Sequence, residues 1–171
     1  NIAKAAVLGA GTMGAGIAAH LANAGIPTLL LDIAPQDENA TDKNQIVNSL
    51  FEAAKKLKPA PFMLADNAKL ITTGNFTDDL VKLKGCDFVI EAVVENLDIK
   101  HKLFAQVDAN RKPGAVIASN TSGIPIDSIA EPFSDDFKAH FVGIHFFNPP
   151  RYMKLVEVIP GSKTSGEIAC K

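Results

Sequence analysis

The stretch AKAAVLGAGTMGAGIAAHLANAGIPTLLLDI, residues 3–33, decides the fold of this chain. It opens on a short apolar run, 3–8, that predicts a strand, and 12–24 follows with apolar residues at helical spacing. Gly25 ends the predicted helix, and TLLLDI at 28–33 is continuous enough for a strand buried on both faces. A strand, a helix and a second strand in this order indicate an α/β domain with a parallel sheet.

The sequence GAGTMG joins the first strand to the helix and fits the pattern G-x-G-x-x-G. In that pattern the first glycine permits a tight turn, the second lets a pyrophosphate approach the backbone, and the third lets helix and strand pack closely. The N–H groups at the positive end of the helix would then hold the phosphates. The predicted cofactor contacts in this loop are Gly9, Gly11, Thr12, Met13 and Gly14.

Asp32 lies near the end of the second predicted strand, where a carboxylate can accept hydrogen bonds from the adenosine ribose hydroxyls. The same charge would repel a 2′-phosphate, so the sequence predicts NAD rather than NADP as the cofactor. The alternative is a glycine-rich turn in which Asp32 is only a capping or solvated residue.

The rest of the chain continues the alternation of strands and helices. Strands are predicted at 70–72, 87–92, 115–119, 141–147 and 154–159, helices at 39–58 and 96–110, and a helical turn at 126–129. The last two strands are separated by only a short turn, which is too short for a crossover, so we expect them to be antiparallel. The predicted fold is a Rossmann-type, mostly parallel sheet with an antiparallel final strand pair.

Composition and charge argue against several classes of protein. The chain has 171 residues, of which 47% are hydrophobic and 21% charged, as in globular domains. The net charge of −2 gives no electrostatic reason to expect nucleic acid or an anionic membrane, and no apolar run is long enough to span a bilayer. Cys86 and Cys170 are too few and too far apart for a disulfide framework or a zinc site, so we expect no metal and a reducing, intracellular setting.

Both ends of the chain indicate a piece of a longer protein. It begins at Asn1 rather than at methionine, and Thr164 and Glu167 have the spacing of a capping box, which predicts that a helix begins there. We therefore interpret 1–160 as one NAD-binding domain and 161–171 as a linker or the first helix of a further domain. The alternative is a disordered tail.

Two polar residues, His145 and Glu157, interrupt the apolar runs of the last two strands. They are equally far along the chain from Arg151, so a hairpin centred there places them opposite each other, with Cβ atoms about 5 Å apart. A buried glutamate is costly unless it is paired, so each residue would explain the other. The pair is purely structural, or it is a base for alcohol oxidation beside a nicotinamide, with the carboxylate fixing the ring tautomer.

With these residues in place, the chain resembles the N-terminal domain of the L-3-hydroxyacyl-CoA dehydrogenases of fatty-acid β-oxidation. Four motifs carry the resemblance over nearly the whole chain: GAGTMGAGIA at 9–18, EAVVENLDIK at 91–100, ASNTSGIPI at 118–126 and HFFNPPRYMKLVEVI at 145–159. The resemblance implies oxidation of the 3-hydroxyl of an L-3-hydroxyacyl-CoA with hydride transfer to NAD⁺. It implies the cytoplasm as the compartment, or the mitochondrial matrix in a eukaryote.

The resemblance also implies the roles of four catalytic residues. His145 corresponds to the catalytic base and Glu157 to the carboxylate that orients it. Ser122 corresponds to the serine that binds the 3-oxygen of the substrate, and Asn148 to the asparagine beside the nicotinamide.

Three further residues, Glu95, Lys100 and Asn120, correspond to positions that line the cofactor and substrate cleft. Outside the resemblance each has a simpler interpretation. Glu95 could cap the following helix, Lys100 could be a solvated helix charge, and Asn120, like Ser122, could be a turn residue.

The helix predicted at 39–58 and its continuation to about residue 66 correspond to a helical excursion that contributes to acyl-CoA binding in this family. The excursion carries Lys55, Lys56 and Lys58, for which a solvated face is a better interpretation than contact with CoA phosphates.

The resemblance implies partners as well as an acyl-CoA substrate. In this family a second, mostly helical domain closes the substrate cleft, supplies another asparagine and usually carries the dimer contact. The sequence PRYMKLVEVIP, residues 150–160, resembles longer members that are fused to an enoyl-CoA hydratase domain. Two alternatives stay open: an NAD-binding module with a structural or sensor role, and another β-hydroxyacid dehydrogenase of the same fold, which would use a lysine as its acid/base.

Overall fold

The computed structural model describes residues 2–37 and 40–169. Its strands are β1 (Ala5–Leu8), β2 (Thr28–Asp32), β3 (Ile71–Asn75), β4 (Phe88–Glu91), β5 (Val116–Ser119), β6 (Phe141–Phe146) and β7 (Val156–Pro160). They form one sheet in the order β3-β2-β1-β4-β5-β6-β7. Every adjacent pair is parallel except β6 and β7, which are antiparallel. The predicted sheet is confirmed.

Helices cover both faces of this sheet. The α-helices are α1 (Thr12–Asn23), α2 (Gln45–Lys55), α3 (Leu97–Asn110), α4 (Ile126–Ala130), α5 (Asp135–His140) and α6 (Gly166–Ala169), and 3₁₀ helices form at Ala65–Leu70 and Leu80–Gly85. One cluster of buried side chains contains Phe104 and Phe137, and the other, on the opposite face, contains Ile17 and Leu30. Burial on both faces explains why the parallel strands are unbroken apolar runs. None of the described helices is long and apolar enough to cross a membrane.

The helix predicted at 39–58 is shorter in the structure, where α2 is its only α-helical part among the described residues. Asp42 delays the start of α2, because its carboxylate accepts the Asn44 N–H at 2.8 Å in a local turn. The helix α2 ends at Lys55, and Pro59 then keeps the chain from resuming it, because the residue directly before a proline is pushed out of the helical region. The excursion then continues as an irregular segment and the 3₁₀ helix Ala65–Leu70.

The helix predicted near the end of the chain forms as α6, but the predicted capping residue is wrong. The Ser165 hydroxyl, rather than that of Thr164, lies within 3.4 Å of the Ile168 N–H. Thr164 instead accepts the Gly161 N–H at 2.8 Å and donates to the Phe141 carbonyl at 2.6 Å. Its hydroxyl therefore fastens the loop after β7 to β6.

The sheet has a switch point between β1 and β4, from which the strand order runs in opposite directions. Ligands of open α/β sheets bind outside the carboxyl ends of the strands at such a point. The segments that follow β1, β2, β4 and β5 meet at this edge. The antiparallel β7 brings its first residues to the same edge, beside the end of β6.

Candidate active site

The glycine loop has the geometry that its sequence predicts. Gly9 has a φ of +100°, and a Cβ there would lie 2.6 Å from the Ala92 carbonyl oxygen. A Cβ on Gly14 would lie 1.8 Å from the Gly9 carbonyl oxygen, so only glycine lets the helix pack on the loop. A Cβ on Gly11 would meet no atom within 4 Å. At Gly9 and Gly14, neighbouring atoms occupy the place of a side chain, whereas the space beside Gly11 is open.

The start of α1 faces this open space. Thr12 and Met13 form its first turn, Gly11 is the N-cap, and no acidic residue lies in that turn. The first N–H groups of a helix have no partner within the helix, and its positive end favours an anion. The loop and the helix start can therefore hold phosphate groups.

Asp32 lies across from the loop at the end of β2. One oxygen of its carboxylate accepts the Ala10 N–H at 2.6 Å, and the other accepts the Ile33 N–H at 2.7 Å. A cavity of about 550 Å³ runs from this carboxylate toward α3. The cavity is lined by Gly9, Gly11, Asp32, Ile33, Gln36, Leu50, Phe76, Ala92, Val93, Val94, Ile99, Lys102, Leu103 and Gln106.

His145 and Glu157 are direct cross-strand partners in the β6–β7 pair, as the hairpin arithmetic predicts. His145 Nδ1 lies 2.8 Å from Glu157 Oε2. An ionised carboxylate can only accept, so Nδ1 carries the proton and donates it, which leaves Nε2 with a free lone pair. Nε2 makes no hydrogen bond to any residue in 2–37 or 40–169. The Phe147 ring packs against the imidazole with ring centroids 4.6 Å apart.

Three further predicted residues, Asn120 of the cleft and the catalytic Ser122 and Asn148, lie on two turns at the same edge. Asn120, just after β5, accepts the Phe146 N–H at 2.9 Å and so joins the ends of β5 and β6. Ser122 and Asn148 are exposed, and the Ser122 hydroxyl makes no hydrogen bond within the described part of the chain. Both side chains are therefore available to a ligand.

Glu95 holds the turn that contains Ser122. Its Oε1 accepts the Thr121 hydroxyl at 2.5 Å and the N–H groups of Ser122 and Gly123 at 3.1 and 3.0 Å. Burial alone would raise the pKa of this carboxyl, but these hydrogen bonds and the nearby Lys100 ammonium outweigh it and lower the pKa to about 2. The carboxylate is therefore charged at any physiological pH.

The capping alternative for Glu95 is wrong, because the N-cap of α3 is Asn96, whose side chain accepts the Ile99 N–H at 3.1 Å. The solvated alternative for Lys100 is also wrong. Its side chain is 1% exposed and its ammonium contacts Glu91 and Glu95, so it reaches the cleft only through other residues.

Three buried residues beside Lys100 or Glu95 were not predicted from the sequence: Glu91, Ser119 and Thr121. Glu91 had a detectable signal, because it is a lone acidic residue in the apolar run FVIEAVV. That is the same kind of signal that identified Glu157 in the last strand.

Comparison with known proteins decides the family. The family described as 3-hydroxyacyl-CoA dehydrogenase, NAD binding domain, matches residues 4–171. The chain belongs to this family. Probable 3-hydroxyacyl-CoA dehydrogenases of Bacillus subtilis and Deinococcus radiodurans are each 54% identical to it over 98% of its length. The crystal structure of (S)-3-hydroxybutyryl-CoA dehydrogenase from Ralstonia eutropha is similar to this one, with 32% sequence identity and a TM-score of 0.79. The match covers 99% of this chain and 58% of the Ralstonia chain.

The 3-hydroxyacyl-CoA dehydrogenase relatives are longer than this chain. It covers 23% of the Bacillus protein and 48% of the Deinococcus protein, so it spans about half or less of the length of these curated relatives.

The residues of this 3-hydroxyacyl-CoA dehydrogenase domain fit NAD. The open space over Gly11, the free N–H groups of α1 and the Asp32 carboxylate lie along one continuous edge of the sheet. The apolar lining of the cavity past Asp32 suits an adenine ring. Within the described ranges, no group of three histidine, cysteine or acidic side chains could hold a metal ion.

The lysine-rich end of α2 in this domain lies on the surface. Lys55, Lys56 and Lys58 are all exposed, and Lys55 forms an ion pair with Glu52 and lies over the Phe51 ring. This arrangement agrees with the interpretation of the cluster as a solvated face.

Proposed function

We propose that this chain is the cofactor-binding and catalytic-base part of an NAD-dependent L-3-hydroxyacyl-CoA dehydrogenase. The observation that carries the proposal is the hydrogen bond of 2.8 Å between His145 and Glu157, at the edge of the sheet where the dinucleotide site lies. A histidine with one nitrogen held by a carboxylate and the other free is suited to accept a hydroxyl proton.

The reaction removes two hydrogens from the 3-hydroxyl carbon and its oxygen. His145 Nε2 accepts the proton of the 3-hydroxyl group while the C3 hydrogen leaves with its electron pair, and the C–O single bond becomes a carbonyl. When bound, NAD⁺ supplies the acceptor for that hydride. Glu157 keeps the Nδ1 proton in place and stabilises the imidazolium that forms.

Two side chains complete the site around the reacting oxygen. The Ser122 hydroxyl donates a hydrogen bond to the 3-oxygen, whose negative charge grows as the proton leaves. Asn148 follows the strand that carries His145 and orients the nicotinamide side of the site. The turns that carry these groups are held in place by Glu95, Lys100 and Asn120.

The proposal extends to the whole protein. Residues 161–171 begin the connection to a mostly helical domain that closes the cleft, and the full-length protein is a homodimer. An enoyl-CoA hydratase domain in the same polypeptide would supply the 3-hydroxyacyl-CoA. The compartment is the cytoplasm, or the mitochondrial matrix in a eukaryote.

The test is oxidation of 3-hydroxybutyryl-CoA by NAD⁺ in the full-length protein, followed by NADH absorbance, with and without His145→Gln. We expect the variant to lose on the order of 10²- to 10⁴-fold in kcat with its NAD affinity unchanged. If wild type and variant are both inactive while NAD still binds, the chain is a structural or sensor module and the proposal is wrong.

A further inference from the structure

A buried ion-pair network, formed by Glu91, Lys100 and Glu95, lies under the proposed site. The side chains of Glu91 and Lys100 are 0% and 1% exposed. The Lys100 ammonium lies 2.7 and 2.8 Å from the two oxygens of Glu91 and 3.2 Å from Glu95 Oε2. One cation therefore joins a fully buried carboxylate to one at the surface of the cleft.

The first branch of the network leads to the wall of the dinucleotide cavity. Glu91 Oε1 accepts the Val93 N–H at 2.6 Å. Val93 and its neighbours Ala92 and Val94 line the cavity, and the Ala92 carbonyl lies against the loop at Gly9. The Glu91 carboxylate thus fixes the backbone that faces the cofactor.

The second branch leads to the substrate side. Glu91 Oε2 accepts the Ser119 hydroxyl at 2.6 Å at the end of β5. Lys100 in turn fixes the Glu95 carboxylate, which holds the 121–123 turn through three hydrogen bonds. Ser122, the proposed ligand of the 3-oxygen, lies in the middle of that turn.

Stability alone does not explain why this network is charged. Burying two charges costs several kcal/mol in desolvation, and an apolar pair of similar volume is often as stable. An apolar pair, however, has no cation that could form an ion pair with the Glu95 carboxylate. The geometry that distinguishes the network from a structural ion pair is this link from a buried pair to a turn that carries a ligand-binding hydroxyl.

We infer that Glu91 and Lys100 are positioning residues, which set the cofactor wall through Val93 and the Ser122 turn through Glu95. The expected effect of these residues on turnover rests on the proposed function, whereas their effect on the 121–123 turn rests on the contacts alone. Neither residue touches a reacting atom.

The test is the double variant Glu91→Gln/Lys100→Met in the full-length protein, which removes both buried charges together and leaves neither unpaired. The glutamine side chain keeps an oxygen for the Val93 N–H, so we expect NAD affinity to change less than about threefold. Glu95 loses its cation, so we expect kcat to fall at least about tenfold and the amides of Ser122 and Gly123 to exchange with solvent at least about tenfold faster. Lys84→Met, which removes an exposed lysine, is the matched control.

Thr121→Val keeps the inference testable even if the double variant does not fold. It has nearly the same shape and removes the hydroxyl that binds Glu95, which also accepts the Ile124 N–H at 3.0 Å. The amides of Ser122 and Gly123, rather than that of Ile124, therefore report the loss of the Glu95 contact, and we expect them to exchange faster and kcat to fall with unchanged NAD affinity. Wild-type exchange rates in a folded double variant, or in Thr121→Val, would overturn the inference. If the wild-type protein had no dehydrogenase activity but the variants still exchanged faster, the proposed function would be wrong and the positioning of the turn would stand.

Discussion

Nδ1 of His145 and Oε2 of Glu157 lie 2.8 Å apart across an antiparallel strand pair at the edge of the sheet. The histidine side chain is 20% exposed and the glutamate 47%, so the pair is open to the cleft rather than buried in the core. Exposed ion pairs contribute little to stability. A pair at this position is therefore better explained by its effect on the ring than by its effect on folding.

The first prediction concerns the charge of Glu157. Glu157→Gln keeps an oxygen that can accept the Nδ1 proton but removes the charge that stabilises the imidazolium. We expect kcat for 3-hydroxybutyryl-CoA to fall on the order of 10- to 100-fold, with little change in the midpoint of urea unfolding or in NAD affinity. Glu131→Gln, at an exposed position after α4, is the control. A kcat equal to that of wild type would mean that Glu157 has no catalytic role.

The second prediction separates the glycines of the loop. Gly11 has a φ of −60° and open space around it, so Gly11→Ala should fold with a loss of no more than about 1 kcal/mol. Its methyl group occupies the space meant for the pyrophosphate, so NAD should bind at least about tenfold more weakly, or ~1.4 kcal/mol.

Gly14→Ala should mainly reduce stability rather than NAD binding, because its Cβ would lie 1.8 Å from the Gly9 carbonyl oxygen. We expect a loss of about 1–3 kcal/mol or more in the free energy of unfolding. Urea denaturation and calorimetric titration with NAD measure the two effects separately. Equal NAD affinity in Gly11→Ala and wild type would place the cofactor elsewhere.

The third prediction concerns the choice of cofactor. Asp32 presents its carboxylate at the mouth of the cavity that suits the adenosine. Asp32→Ala removes the acceptor for the ribose hydroxyls and the charge that repels a 2′-phosphate. We expect the ratio of NADP to NAD affinity to rise on the order of 10- to 100-fold, measured by titration of each nucleotide. An unchanged ratio would show that Asp32 only anchors the N–H groups of Ala10 and Ile33.

The glycine loop and the His145–Glu157 pair could be predicted because the residues of each lie near one another in the sequence. A loop of six residues has its own conformational pattern. The strands β6 and β7 are consecutive in the sequence, joined by residues 147–155, so loop length and apolar alternation together fix their register. The same reasoning could have found the Ser134 cap of α5, whose hydroxyl accepts the Phe137 N–H at 3.2 Å, from the sequence SDDF.

The ion pair between Glu91 and Lys100 could not be predicted in the same way. The two residues are on different elements, β4 and α3, and a lysine on an amphipathic helix is nearly always exposed. Only the packing of α3 on the sheet shows that the Lys100 ammonium points inward. The true start of α2 was missed for a related reason, since the turn at Asp42 competes with a helical pattern in the same stretch of sequence.

The fourth prediction concerns acid stability. Hydrogen bonds and the Lys100 ammonium lower the pKa of Glu95 from 4.5 to about 2 against the opposing effect of burial. Because the pKa is lower in the folded state, the stabilisation is fully present above pH 4.5 and is lost as the pH falls from 4.5 toward 2. The side chain is 41% exposed, so solvent screening limits the effect to about 1 kcal/mol.

Urea denaturation of wild type and Glu95→Gln at several pH values measures this contribution. We expect the variant to be less stable than wild type near neutral pH and the difference to shrink in acid. A difference that did not depend on pH would mean that the Glu95 hydrogen bonds, rather than its charge, hold the 121–123 turn.

The last prediction concerns Arg151, which joins the hairpin to the excursion after α2. Its guanidinium donates to the carbonyls of Ala60 and Phe62 at 2.7 and 2.8 Å, and the neighbouring Tyr152 hydroxyl donates to Ala60 at 2.9 Å. Hydrogen bonds from a charged donor contribute about 1.5–3 kcal/mol, so Arg151→Ala should lower the free energy of unfolding by about that amount. Lys154→Ala, an exposed cation on the same hairpin, should change it by less than about 0.5 kcal/mol.

Arg151→Lys tests whether geometry or charge matters at this position. Both carbonyls accept from one guanidinium nitrogen, Nη1. A lysine keeps the charge and has three donors, but its flexible stem does not hold the nitrogen between the two carbonyls, so we expect it to recover less than half of the loss. Faster amide exchange at 60–64 in both variants would locate the effect in the excursion. Stability equal to wild type in Arg151→Ala would show that the excursion is held by its other contacts, chief among them the Asn23 side chain, which binds the Pro61 carbonyl and the Met63 N–H, each at 2.9 Å.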